Sequence, residues 1–322
     1  MRLLARHCLF ARHWLSAGAA LALAQALLPP ALAADGPVPV VATFSVLADI
    51  AAQVGGPAVR VSSLVAAGND VHVFQPGPNH ARQLSGARLV ISNGLGFEGW
   101  IDRLIRSSGY RGPVVVASHG IAPLPGDGHD RVRKSPTAGE DPHAWQSVPN
   151  MKRYVENVTA GLCGVAASAC DVFRANAARY SAMLDELDRE IRTTLAVIPP
   201  AQRKVITSHD AFGYYAYEYQ VRFLAPVGTS TESEPSAAAV GRLIRQIRKE
   251  KVGAFFVEGL SDPRLIERIR EETGGALPGT LYSDGLSASD GPASTYQAMM
   301  RYNTQAITAA LSAPVAAPAA GR

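Results

Sequence analysis

The sequence predicts an α/β protein made of two similar lobes, each with a parallel four-stranded sheet, joined by one long helix. Two observations carry this. Short apolar, β-branched runs alternate with longer stretches of helical periodicity, the pattern of parallel α/β layers. These runs also fall into two groups of four, separated by a helical stretch that nothing interrupts.

The first group is VPVVAT, VRVSSLVAA, ARLVISN and GPVVVAS, and the second is KVITS, VRFLAPV, VGAFFVE and PGTLYSD. Between them runs ACDVFRANAARYSAMLDELDREIRTTLAVIPP, free of Gly and Pro until Pro199. Its Phe173, Tyr180, Leu184, Leu187, Ile191 and Leu195 recur close to the 3.6-residue period of a helix with one buried face. The expected division is an N-terminal lobe over 34–170, a linking helix over 171–198 and a C-terminal lobe over 199–313. The tail 314–322 has no periodicity and is expected to be disordered. The polar segment GDGHDRVRKSPTAGED, rich in Gly and Pro, reads as a loose loop over 126–141.

Residues 1–33 hold three arginines and no acid, then an apolar core, then A-L-A, the layout of a cleaved signal peptide. Gln25, Pro29 and Pro30 weaken the other reading, a retained membrane anchor. Cys8 lies in the basic part of this segment, away from its cleavage end, so no lipid-modified cysteine is indicated. The mature chain is therefore expected in the periplasm. Cleavage would leave 28 of the 31 basic residues against 27 acidic ones, a formal net charge of +1, and no nucleic-acid partner is expected. No other apolar stretch is long enough to cross a bilayer.

Cys163 and Cys170 are the two cysteines left, and a disulfide is the natural expectation in an oxidising compartment, against two unpaired thiols. On a straight helix their separation would span about 10.5 Å, beyond the reach of about 7 Å that a disulfide allows. The segment must bend, and Gly164 is a place where it could.

The stretch LVISNGLGFEGWID carries Gly94, Gly96 and Gly99 in the spacing G-x-G-x-x-G. A dinucleotide site would need this turn after the first strand and an acid about twenty residues on, and neither condition is met.

The histidines are more informative. His72 follows the second strand run, His143 follows the loose loop, His209 lies just beyond the fifth run and Asp284 closes the eighth. Ligands of open α/β sheets collect at the carboxyl ends of strands, so these four can meet in one crevice between the lobes. Three neutral imidazoles and one carboxylate suit a borderline cation, zinc first. His119 also ends a strand and competes for the role; His80 and His129 read as surface residues. Neutral imidazoles are needed for binding, so affinity is expected to weaken as pH falls through roughly 6.5.

Several ordered motifs now carry a resemblance: NDVHVFQPGPNHARQLSGARLVISNGLGFEGWI, DPHAWQSVPN, TSHDAFGYYAYEYQV, the GTSTESEPS turn, FFVEGLSDPRLIERIREETG, and LYSDGLS followed by YQAMMRYN. The mature chain resembles the metal-binding solute-binding proteins of zinc and manganese ABC transporters, the cluster A-I family. The resemblance implies two (β/α)4-like lobes joined by a backbone helix, with His72, His143, His209 and Asp284 at the metal positions. A histidine at the third position, as in TSHDAF, accompanies the zinc receptors of that family, and a glutamate the manganese type. The implied function is capture of zinc and its delivery to a membrane permease, by a non-enzymatic protein that is monomeric; whether a metallochaperone loads it stays open. Val71 and Gln75 stand where the family has a proline and a glutamate, and Gln146 and Ser147 replace a leucine–aspartate pair. Such outer positions orient ligands.

The long His- and acid-rich loop of many zinc receptors is reduced here to His119, Asp127, His129, Asp130, Glu140 and Asp141, as either a metal-capturing segment or a plain linker. Two other readings remain: a manganese or iron receptor of the same fold, and a secreted zinc hydrolase using Asp284 as a base.

Overall fold

The computed structural model describes residues 36–126, 139–259 and 262–312. The expected signal peptide over 1–33, the tail over 314–322 and residues 127–138 of the loose loop, with His129, lie outside the described residues.

β1 (Val38–Ala42), β2 (Val59–Ser63), β3 (Leu89–Ser92) and β4 (Val114–Val116) form a parallel sheet in the order β2-β1-β3-β4. β5 (Lys204–Ile206), β6 (Arg222–Leu224), β7 (Ala254–Glu258) and β8 (Ala276–Leu281) repeat that order as β6-β5-β7-β8. In the first lobe α1 (Ser45–Gly55), α2 (Pro78–Ser85), α3 (Ile101–Ser108) and α4 (Val148–Val165) follow the strands in turn. After the long α5 (Cys170–Leu195), α6 (Gly213–Tyr219), α7 (Ala237–Glu250), α8 (Arg264–Thr273) and α9 (Tyr296–Ser312) do the same in the second. The two (β/α)4-like lobes follow the expected pattern. In each sheet the second strand lies on one side of the first and the third on the other, so the loops leaving the two central strands diverge and open a crevice.

The central strand β3 is covered on both faces, and all four of its residues are apolar or small and buried, whereas the edge strands β2 and β4 are partly exposed. β8 starts earlier than the run PGTLYSD suggests, because Ala276 N–H donates to the Gly253 carbonyl and Ala276 pairs with Ala254. Asp284 consequently lies in the loop beyond the strand.

α5 buries Phe173, Tyr180, Leu184, Leu187, Ile191 and Leu195, the stripe that the periodicity marks out. Its 26 residues give it a length of about 39 Å. It packs on α1 and α4 of the first lobe and on α6 and α9 of the second. Regular helix ends at Leu195, short of Ile198, and Pro199 then opens a 3-10 turn at Pro200–Gln202. One apolar core runs along α5 and includes residues of both sheets. A smaller cluster, with Ile206, Leu243, Ile247, Phe255, Ile266 and Ile269, fills the space beneath α7 and α8.

The chain does bend between the two cysteines, and Cys163 and Cys170 are bridged with Cα atoms 4.7 Å apart. Gly164 stays inside α4, and the break falls at Ala166 (φ −145°, ψ 67°), followed by a 3-10 turn at Ala167–Ala169. Among the described residues no helix is long and apolar enough to cross a membrane.

Candidate metal centre

The loops after β2, β4, β5 and β8 bring His72, His143, His209 and Asp284 together, with one donor atom from each within 4.8 Å of the others. All four side chains are buried, His143 completely and His72 the least, at 6% exposed. The Asp284 carboxylate faces the three imidazoles: Oδ1 is 3.3 Å from His143 Nε2, and Oδ2 is 3.1 Å from His209 Nε2 and 3.5 Å from His72 Nε2. Each separation is near the edge of a tetrahedron with bonds of 2.0–2.1 Å, about 3.3 Å, although the three are shared between the two carboxylate oxygens. The three Nε2 atoms and Asp284 Oδ1 have no hydrogen-bond partner among the described residues. Buried polar atoms are normally satisfied, so four inward donors left without one fit a cation at their centre.

Two of the imidazoles are oriented from behind by a carboxylate, and the third residue is held through its backbone. Asp141 Oδ1 accepts the His143 backbone N–H at 2.9 Å and lies 2.7 Å from His143 Nδ1. Glu258, at the end of β7, accepts the His209 N–H at 2.9 Å through Oε1, and its Oε2 is 2.7 Å from His209 Nδ1. A proton on Nδ1 facing a carboxylate leaves the Nε2 lone pair free for a metal. Asp70 Oδ1 accepts the His72 N–H at 2.8 Å. Sequence reasoning misses Asp70 and places Asp141 only in the loose loop, although each stands two residues before a candidate ligand, in D-V-H and D-P-H. That spacing is the signature of a turn in which the Asp carboxylate accepts the N–H two residues on. Glu258 had no such local signal.

Asp141 reaches its place because α6 begins with glycine: a Cβ on Gly213 would fall 2.2 Å from Asp141 Oδ2. Phe97 stands edge-on to His72, with ring centres 4.9 Å apart, and together with Phe44 and Trp145 it forms an aromatic wall beside the site.

In this setting the charges dominate. Burial alone would lower the His143 pKa, but Asp284 and Asp141 outweigh it and raise the group to about 9. Burial is likewise overcome at His209, which Glu258 and Asp284 hold well above the ordinary histidine range. Asp284 is held well below the carboxylate range, burial being outweighed by His209 and His143. The pocket thus favours positive charge, whether carried by protons or by a cation.

The glycine turn serves the same centre. Glu98 accepts the backbone N–H groups of Asn93 at 2.6 Å and Gly94 at 3.3 Å, and the Thr43 hydroxyl at 2.5 Å. Two of the turn's amides are therefore engaged by its own glutamate, whose negative charge disfavours a phosphate there. Gly94 is required there: its φ is +87°, and a Cβ would lie 2.4 Å from Val116 Cγ1. Asn93 then donates to the Pro142 carbonyl at 2.9 Å and steadies the segment carrying His143.

His119 is exposed and is not part of the cluster. His80 Nδ1 accepts the Gly77 N–H at 2.8 Å at the start of α2. Of the departures at outer positions, Val71 is buried and its carbonyl accepts from Trp100 Nε1, Gln75 is exposed, and Ser147 caps α4. Ser118 donates to the Asn93 carbonyl at 2.6 Å and so is not set up as a nucleophile with His119.

Comparison with known proteins places this geometry in a family. The ZnuA model, described as zinc-uptake complex component A, periplasmic, matches residues 40–310. The iron-binding protein YfeA of Yersinia pestis is 31% identical over 271 residues, 83% of this chain and 84% of that one. The manganese-binding lipoprotein MntA of Bacillus subtilis is 31% identical over 287 residues, 86% of this chain and 91% of its own. Among solved structures, the periplasmic zinc-binding protein TroA of Treponema pallidum matches with a TM-score of 0.79 at 27% identity, over 86% of this chain and all of that one. With the match running from β1 into α9 around a cluster of three histidines and an aspartate, the chain belongs to the ZnuA family of metal-binding substrate-binding proteins of ABC transporters.

Proposed function

We propose that this protein captures one zinc ion in the periplasm, after loss of residues 1–33, and hands it to the permease of an ABC transporter. His72, His143, His209 and Asp284 are the proposed ligands. The observation that carries this reading is the set of four buried donors, three imidazole Nε2 atoms and one carboxylate, turned toward one another without protein partners. Three nitrogens and one oxygen complete a tetrahedral zinc shell and leave no position for an activated water, so the site holds its ion without catalysis. A monomer is sufficient, since one chain supplies all four ligands. The lobes over 34–170 and 199–313 are proposed to shift only slightly on binding, because the helix between them is a stiff strut.

A second reading keeps the fold and changes the ion to manganese or iron. The names of MntA and YfeA favour it, as does the fact that both Asp284 oxygens face the imidazoles and could give a fifth bond. Metal content of the purified mature chain, followed by equilibrium competition, separates the two. One zinc per chain, retained against an equal activity of manganese, is expected; displacement of zinc by manganese overturns the choice of ion.

A further inference from the structure

The Ser283 carbonyl, one residue before Asp284, accepts two hydrogen bonds from the other lobe: Trp145 Nε1 at 2.9 Å and Gln146 Nε2 at 2.8 Å. Both donors lie on the 3-10 turn that directly follows His143, and both side chains are fully buried. Two donors occupy both lone pairs of one carbonyl, which fixes the orientation of the peptide unit leading into Asp284. The same Ser283 donates its hydroxyl to Glu258 Oε2 at 2.5 Å, and Glu258 in turn holds His209. Ser283 therefore links the turn of His143, the carboxylate of Asp284 and the partner of His209.

Gln146 is the unexpected member of this group. The other end of its amide, Oε1, is buried without a partner among the described residues. The amide is not reversed, because an oxygen facing the Ser283 carbonyl would be repelled. A leucine would fill nearly the same space without leaving a polar atom unsatisfied, so the bond to Ser283 is what the amide contributes.

On the reading that this site carries zinc, we infer that Gln146 is a positioning residue: by holding the Ser283 carbonyl it sets how the Asp284 carboxylate meets the cation, and with it the preference for zinc over manganese. Held as it is, Asp284 puts Oδ2 toward two imidazoles and Oδ1 toward the third, and an ion drawn to Oδ2 is four-coordinate. With the Gln146 bond lost and only Trp145 left on the carbonyl, the peptide unit can turn further and the carboxylate can present both oxygens more equally, an arrangement that suits an ion of higher coordination number.

The test is Gln146→Leu in the full mature chain, with Gln146→Met as a second variant that keeps an unbranched stem. Zinc and manganese affinities are measured by competition, and cobalt(II) is used as a spectroscopic probe of coordination number. The ratio of zinc to manganese affinity should fall about tenfold, the low end for loss of a partner behind a metal ligand, and the cobalt visible band should weaken as the site moves from four-coordinate toward five. Stoichiometry should stay at one ion per chain. An unchanged or increased ratio, or an unchanged cobalt spectrum, overturns the inference and leaves the zinc reading intact. A wild-type chain that binds no zinc overturns both.

Discussion

Thr231 Oγ1 donates a hydrogen bond to Asp70 Oδ2 at 2.6 Å, joining a loop of the second lobe to a loop of the first. The other oxygen of the same carboxylate holds the backbone N–H of His72. Both residues line a cleft of about 410 Å³ that also includes Val73, Ser208 and Glu234 and has the proposed ligand His209 in its wall. The bond thus crosses the cleft beside His209. Thr231→Val keeps the shape and removes the donor. A hydrogen bond to a charged group contributes about 1.5 kcal/mol at the lower end, so chelator-driven zinc release followed by stopped flow should be about tenfold faster. Release at the wild-type rate would show that the ion leaves by another path.

The four proposed ligands should dominate affinity and thermal stability. An ion present at a thousand times its dissociation constant stabilises the folded state by about 4 kcal/mol, a rise in Tm on the order of 8 °C for a chain of this size. Asp284→Asn and His209→Ala should abolish that rise, and His119→Ala should keep it whole, since His119 lies outside the cluster. Differential scanning fluorimetry with and without zinc reads all three.

The pH response differs from that of free histidines. His143 is raised to about 9 by Asp284 and Asp141 in the cation-free protein, so protons compete with the metal far above 6.5. Zinc affinity should therefore keep climbing from pH 6.5 to pH 9, and calorimetry at pH 7.5 in buffers of different ionisation enthalpy should detect proton release on binding. The window lies above the one expected from unperturbed imidazoles. The sign for the cation-free protein is opposite: a histidine raised on folding stabilises below its unfolded pKa of about 6.5, and that contribution is lost as pH rises through about 9. Its Tm should fall over this range while that of the zinc form holds. A flat affinity between pH 6.5 and 9 would contradict the charge balance described for the pocket.

What the sequence discloses follows the range over which each interaction acts. The stripe from Phe173 to Leu195 is a local repeat, and its burial along α5 was readable from spacing alone. That the four candidate ligands come together was readable because strand ends of an α/β sheet converge wherever the helices between them pack. Partners that depend on tertiary approach were not: Glu258 meets His209 across 49 positions, and Gln146 meets Ser283 across 137. Asp141 is a different case. It is local to His143, but its place at the edge of a polar, Gly- and Pro-rich segment made it look like part of a solvated loop.

Glu258 gives the most stringent test of how the imidazoles are oriented. Its carboxylate accepts the His209 N–H through Oε1, faces His209 Nδ1 through Oε2 and receives the Ser283 hydroxyl. In Glu258→Gln the amide oxygen must stay on the backbone N–H, because an amide NH2 there would oppose another donor. The NH2 then faces Nδ1 and makes it an acceptor, which moves the imidazole proton to Nε2, the atom turned toward Asp284. The substitution therefore removes a charge and also selects the tautomer that cannot bind metal. Zinc affinity should drop about 100-fold, the upper end for such partners, and the imidazole 15N shifts of His209, read where its ring is neutral, should place the proton on Nε2. Ser283→Ala removes only the hydroxyl and leaves both His209 contacts, so its His209 shifts should match the wild type. A Glu258→Gln protein that kept the wild-type tautomer and affinity would show that Glu258 does not orient this ligand.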